Sequence, residues 1–243
     1  MRAMFSLHVE YLLNRRTVAI MILSSLILAG FYIYYGDLGL DHGILDSDRE
    51  LTAAVYLSDI VFLLEFFLLV MALGIAQQGF SRSGSGYLVY LVDSRRSKLA
   101  AIASRIMAVF FCEVAFVFGQ FFSFYLLSRT LSPYAFSFIK IGSIFLRLAL
   151  MMGFFSLFQG VLLVFVDNNL TFMLPTVLYW YLSQHDTRSA IADNQALRVL
   201  NTIIPNLIEH HGDYLYFRED YGYIVSASII AVILLLLSLG KDF

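Results

Sequence analysis

The sequence predicts an all-α, polytopic membrane protein. It has six transmembrane helices, an N-terminal helix lying in the membrane interface, and a short cytoplasmic helix between spans two and three. Two observations of composition and one of pattern lead there. Of 243 residues, 60% are hydrophobic and only 14% charged, whereas an ordinary soluble domain carries about 25% charged residues. The mean hydropathy is +0.78. The apolar residues also gather into runs that, at about 1.5 Å per residue, reach across a hydrocarbon core of about 30 Å. There is too little charge to cover a globular surface.

Residues 1–16 form the interfacial helix. Met1, Phe5, Val9 and Leu12 recur at helical spacing, with Arg2, Ser6 and Glu10 on another face and Asn14-Arg15-Arg16 at headgroup level. A frayed tail is the alternative. Span one covers 17–35 and ends in Phe31, Tyr32, Tyr34 and Tyr35, an interfacial aromatic cluster. Its sixteen-residue lead and the lack of a small-x-small site argue against a cleaved signal. Span two covers 58–76, and a basic loop follows over 77–98. Span three covers 99–127 and span four 139–166. Span five, 170–183, is short, and Pro175 predicts a kink within it. Residues 184–221 form an outer segment in which Leu197, Leu200, Ile204 and Leu207 are spaced as a helix broken at Pro205, so an amphipathic or re-entrant element is expected. Span six covers 222–239. The chain is one membrane domain over 1–243, with no internal repeat.

Orientation follows from Lys and Arg. With both termini cytoplasmic, Arg2, Arg15, Arg16, Arg82, Arg95, Arg96, Lys98 and Lys241 are inside. Asp37, Asp41, Asp46, Asp48 and Glu50 then lie outside, with six more acidic residues between Asp186 and Asp220. The net charge of −2 offers no basic field, so no nucleic-acid partner is expected. Cys112 is the sole cysteine, which excludes an intrachain disulfide and a thiolate metal cluster; Phe110, Phe111 and Val114 around it mark an inert thiol.

No GxxxxGK[ST], HExxH or GxSxG motif occurs, so the chain carries no P-loop and no recognisable catalytic constellation. Adjacent His210 and His211 point about 100° apart on a helix, so Glu209 to Asp213 reads as a solvated turn in preference to a metal site. Charges within spans say more, because each costs about 2.5–3.5 kcal/mol at mid-bilayer and normally faces a partner. Glu65 and Arg147 lie at matching depths, suited to an ion pair. Glu113 sits mid-span with Gln120 seven residues on along the same face, Asp59 lies at the outer rim, and Arg105 is expected to snorkel to the inner one. Glu65, Glu113, Gln120 and Arg147 read either as a polar pathway or as packing determinants. If Glu65, Glu113 and Arg147 carry protons or ions, the chain is a secondary transporter, for which inverted repeats are expected.

The 77–98 loop contains Gly79-Phe80-Ser81-Arg82-Ser83-Gly84-Ser85-Gly86, then Tyr87-Leu88-Val89-Tyr90-Leu91-Val92, then Asp93-Ser94-Arg95-Arg96-Ser97-Lys98. An apolar helical turn at the cytoplasmic surface calls for a covering partner, unless the loop is only a basic connector. The order of interfacial helix, six spans, short helix after span two and interrupted outer segment before span six resembles the ABC-2 type permease family. Gly86-Tyr87-Leu88 and Leu91-Val92-Asp93-Ser94-Arg95 occupy the places of that family's loop motif. Gln77-Gln78 stands for its acidic residue and Asp93 for its proline. The resemblance implies a bacterial plasma-membrane permease that pairs with a second copy or a paralogue. Separate ABC ATPase subunits would bind ATP and Mg, so the chain itself would hold no cofactor and catalyse nothing. Arg82, Tyr87, Leu88, Leu91, Val92, Arg95 and Arg96 would be the ATPase-coupling residues, and the cargo a hydrophobic or amphipathic molecule such as an antimicrobial peptide or lipid-like compound.

Overall fold

The computed structural model describes residues 2–38, 49–81, 95–131, 136–166, 171, 173–183 and 220–240. These form seven helices and no strand: α1 (Arg2–Leu12), α2 (Arg15–Leu38), α3 (Arg49–Phe80), α4 (Arg95–Leu131), α5 (Phe138–Phe165), α6 (Met173–Ser183) and α7 (Asp220–Gly240). Four of them, α2 to α5, are long and apolar enough to cross a bilayer.

The helix ends explain themselves locally. Asn14 stands between α1 and α2 and caps the second, its Oδ1 accepting from the Thr17 backbone N–H at 3.0 Å. Ser137 does the same for α5 through the Lys140 N–H. Helix α3 starts nine residues before the apolar run predicted from sequence and continues to Phe80. Residues 77–80, read from sequence as loop, are therefore helical. Pro175 produces no kink, because α6 begins only at Met173 and places the proline in the first turn, where its missing N–H has no intrahelical acceptor to lose. At 11 residues, α6 rises about 16 Å, half a hydrocarbon core.

Helix α5 is central, packing most extensively on α3 and α7 and also on α4 and α6. Leu64, Leu68, Phe124, Ile141 and Phe155 are fully buried there. At the end where α2 finishes, Tyr32 meets Phe124 edge-on at 5.0 Å and Tyr56 stacks on Phe136 at 6.0 Å. The Tyr56 hydroxyl donates to the Tyr32 carbonyl at 3.1 Å. The outer surface is apolar: Ile22, Leu23 and Leu26 on α2 and Phe111, Phe118 and Leu126 on α4 are all exposed, while Glu65, Glu113, Gln120, Ser156 and Gln159 are buried. Water would reverse that distribution. Lipid permits it, and the arrangement is that of a membrane-embedded bundle.

Helix α1 is docked, not frayed. Leu12 joins Ile75, Ala108, Val109 and Cys112 in a second core, with Phe5 and Val9 against it, and Phe5 meets Phe111 edge-on at 5.8 Å. His8 shares the buried face. Loss of water and the neighbouring Arg105 charge push its pKa down to about 4, outweighing a backbone hydrogen bond at Ala101 that acts the other way. A base whose pKa is lowered by folding is neutral when docked, and protonation favours release. The contribution is whole above pH 6.5 and is lost as pH falls from 6.5 through about 4. Cleavage around Arg15–Arg16 is therefore expected to accelerate as pH falls through that window, measured with an acid-active protease at each pH against an unstructured control peptide. A His8→Gln variant is expected to flatten the response.

Candidate functional site

The last turn of α3 is where the helices converge, and each of its residues holds something different. Gln77 Oε1 accepts from Gln159 Nε2 of α5 at 2.6 Å, and Thr171 lies beside both, 3.3 Å from Gln159 Nε2 and 3.4 Å from Gln77 Oε1. Gln78 Oε1 accepts from the Thr17 hydroxyl of α2 at 2.8 Å, while its Nε2 donates to the Tyr11 carbonyl of α1 at 3.1 Å. Gly79 abuts Val109 of α4, and its carbonyl accepts from Arg105 Nε. Phe80 lies under the Arg105 guanidinium, 5.8 Å from carbon to ring centre, and against Gly160 of α5. The Ser81 carbonyl accepts from Arg105 Nη2 at 2.9 Å. A helix end normally leaves its final carbonyls to solvent. Here a buried guanidinium takes two of them, and its charge complements the negative end of the helix dipole. Arg105 is 8% exposed, because its reach ends on the Gly79 and Ser81 carbonyls.

Above this turn a polar seam runs through the bundle interior. The Ser156 hydroxyl of α5 donates to Glu113 Oε1 of α4 and lies 3.4 Å from the Ala72 carbonyl of α3. Glu113 Oε2 is buried with no hydrogen-bond partner among the described residues. Gln120 Nε2 donates to Ser25 Oγ of α2 at 2.6 Å. Glu65 Oε2 accepts from the Tyr179 hydroxyl of α6 at 2.9 Å, and Arg147 is half-buried on α5. The seam thus ties α2, α3, α4, α5 and α6 together by hydrogen bonds among largely buried groups.

Of the residues predicted to couple to an ATPase, Arg82, Tyr87, Leu88, Leu91 and Val92 lie outside the described residues, and so does the 184–219 stretch of the expected re-entrant segment. Arg95 and Arg96 open α4. Tyr179, Ser156, Gln159 and Thr171 were not singled out from sequence, and Gln77-Gln78 was noted only as standing for the resembled family's acidic residue. The available signal was a polar residue inside an apolar run, which Ser156 and Gln159 show three residues apart. Among the described residues no three of His, Cys, Asp and Glu converge as metal ligands. Compared with known proteins, the sequence matches no family model and no curated protein.

Proposed function

We propose that the chain is the permease subunit of an ATP-driven bacterial ABC transporter of ABC-2 type, resident in the plasma membrane with both termini cytoplasmic. In this reading α6 and α7 belong to spans five and six, completing six, and a second copy or a paralogue completes the pathway. The observation that carries it is the last turn of α3. Five consecutive residues immediately before 82–94 hold α1, α2, α4 and α5 at once. A segment rooted in that turn is mechanically connected to four other helices, which suits a docking element for a separate motor. An idle connector would need no such root. Nucleotide-driven closure of the ATPases would then act as a rigid-body switch on the helices. The chain's part is to bind, transmit and enclose, with ATP and Mg held by the partner. Apolar, aromatic-rich spans suit a hydrophobic or amphipathic cargo, exported outward.

One observation favours a second reading. Glu113 presents a buried carboxylate oxygen with no partner among the described residues, as a proton- or ion-coupled secondary transporter would need alongside Glu65 and Arg147.

Co-purification separates the two. Leu88 and Leu91 would share a helix face, with Val92 extending it, so Leu88→Ser with Leu91→Ser is expected to leave expression and insertion unchanged. The amount of a P-loop ATPase recovered with the tagged permease should fall about tenfold or more, as for loss of a central interface anchor. Equal recovery with mutant and wild type would reduce 82–94 to a connector.

A further inference from the structure

Two cations on one face of α4 each close the carboxyl end of another helix. Arg105 donates to the Gly79 and Ser81 carbonyls at the end of α3, and Lys98 Nζ donates to the Leu239 carbonyl at the end of α7, at 3.2 Å. Lys98 and Arg105 are seven residues apart, two turns along the same stripe of the helix. The two ends they hold are also in contact through a third helix. Gly160 of α5 has no side chain, and the place its Cβ would occupy lies 2.9 Å from Phe80 of α3 and 3.0 Å from Leu234 of α7.

We infer that the first turns of α4 act as a two-cation clasp, with Arg105 as the positioning residue that makes the carboxyl ends of α3 and α7 move as one body. Without it the last turn of α3 would follow the ordinary course of a helix terminus, which opens locally at little cost. A displacement of 82–94 would then swing the end of α3 relative to α7. With it, the displacement reaches α4 through the guanidinium, α5 through Phe80, and α7 through Lys98. Arginine suits this place because its planar fork can serve two carbonyls at once while lying over a ring; lysine offers one compact charge. The clasp rests on contacts within this chain. Its use in passing motion from a motor rests on the permease reading above.

The test is a distance distribution between spin labels at Gly74→Cys on α3 and Leu236→Cys on α7, in a Cys112→Ala background in lipid nanodiscs. Both label sites are exposed, and a Cβ at Gly74 meets nothing. The unaltered clasp is expected to give one narrow distance. Arg105→Met, and independently Lys98→Met, should each broaden it about twofold while the protein stays monodisperse, as release of a helix end allows. Arg105→Lys should recover part of the narrowing. Unchanged width in both methionine variants would overturn the clasp, and so would equal broadening in Arg105→Lys and Arg105→Met. A second arm adds ATP and vanadate to the protein purified with its ATPase. The wild-type distance should then hold, because the two ends move together, while Arg105→Met with its ATPase bound should show a shift; an equal shift in the wild type would overturn the clasp. If no ATPase accompanies the wild type, the permease reading falls, and the widths without nucleotide still decide the clasp.

Discussion

Gly160→Leu is expected to prevent stable assembly of the bundle. A Cβ alone would already lie 2.9 Å from Phe80 and 3.0 Å from Leu234, and a leucine adds three further carbons at the point where α3, α5 and α7 meet. Phe80 has little room to yield because Arg105 covers its ring. Overpacking at such a site costs about 1–3 kcal/mol for small insertions and more for larger ones. The α5–α7 packing is among the most extensive in the bundle. Gly160→Ala should lower the thermal midpoint measurably, and Gly160→Leu should remove the monodisperse species altogether. Gly153 supplies the control. Its Cβ would meet Phe110 at 2.8 Å, but Phe110 is 44% exposed and can swing into lipid, so Gly153→Ala should cost far less. Equal losses at the two glycines would mean that the contact at Gly160 is as compliant as the one at Gly153.

The second large effect is expected at the Glu113–Ser156 contact. Ser156→Ala removes the hydroxyl that donates to a buried carboxyl group, leaving an acceptor unmet at a cost of about 1–3 kcal/mol. Combining it with Glu113→Leu removes both polar partners. Replacing a buried polar pair by apolar groups is commonly neutral or stabilising, so the double variant should recover most of what Ser156→Ala loses. Chemical unfolding in mixed micelles of the two single variants and the double one measures this coupling. Additive losses would show that the hydroxyl and the carboxyl group do not depend on each other.

The helical class was legible because apolar runs of bilayer length leave little choice. The Ser137 cap of α5 and the Asn14 cap of α2 lie close to where those runs begin. The true extent of α3 was less visible. Gln77, Gln78, Gly79 and Phe80 have no hydrophobic periodicity of their own, and they are helical because tertiary partners satisfy them: Gln159, Thr17, Tyr11 and Arg105. Such long-range hydrogen bonds leave no trace in local spacing. The partners of Arg105 were hidden for the same reason: a charge near a span end is legible, but the Gly79 and Ser81 carbonyls are brought to it by the fold. Glu65 and Glu113 were recognisable as interior groups by their cost in lipid. Tyr179 and Ser156, which hydrogen-bond to them, are ordinary members of apolar segments until α6 and α5 are packed.

Dependence on a separate motor is read in nucleotide hydrolysis by the chain purified from its native membrane. The protein would be tagged, extracted gently, reconstituted in nanodiscs with whatever ATPase accompanies it, and assayed with and without vanadate. Vanadate-sensitive ATP hydrolysis from a co-purified, span-free P-loop subunit is the expected result. Hydrolysis should fall about tenfold or more in the Leu88→Ser, Leu91→Ser double variant, through loss of the docked subunit. Hydrolysis no greater than that of a mock purification, from wild-type protein that is folded and monodisperse, would contradict that dependence.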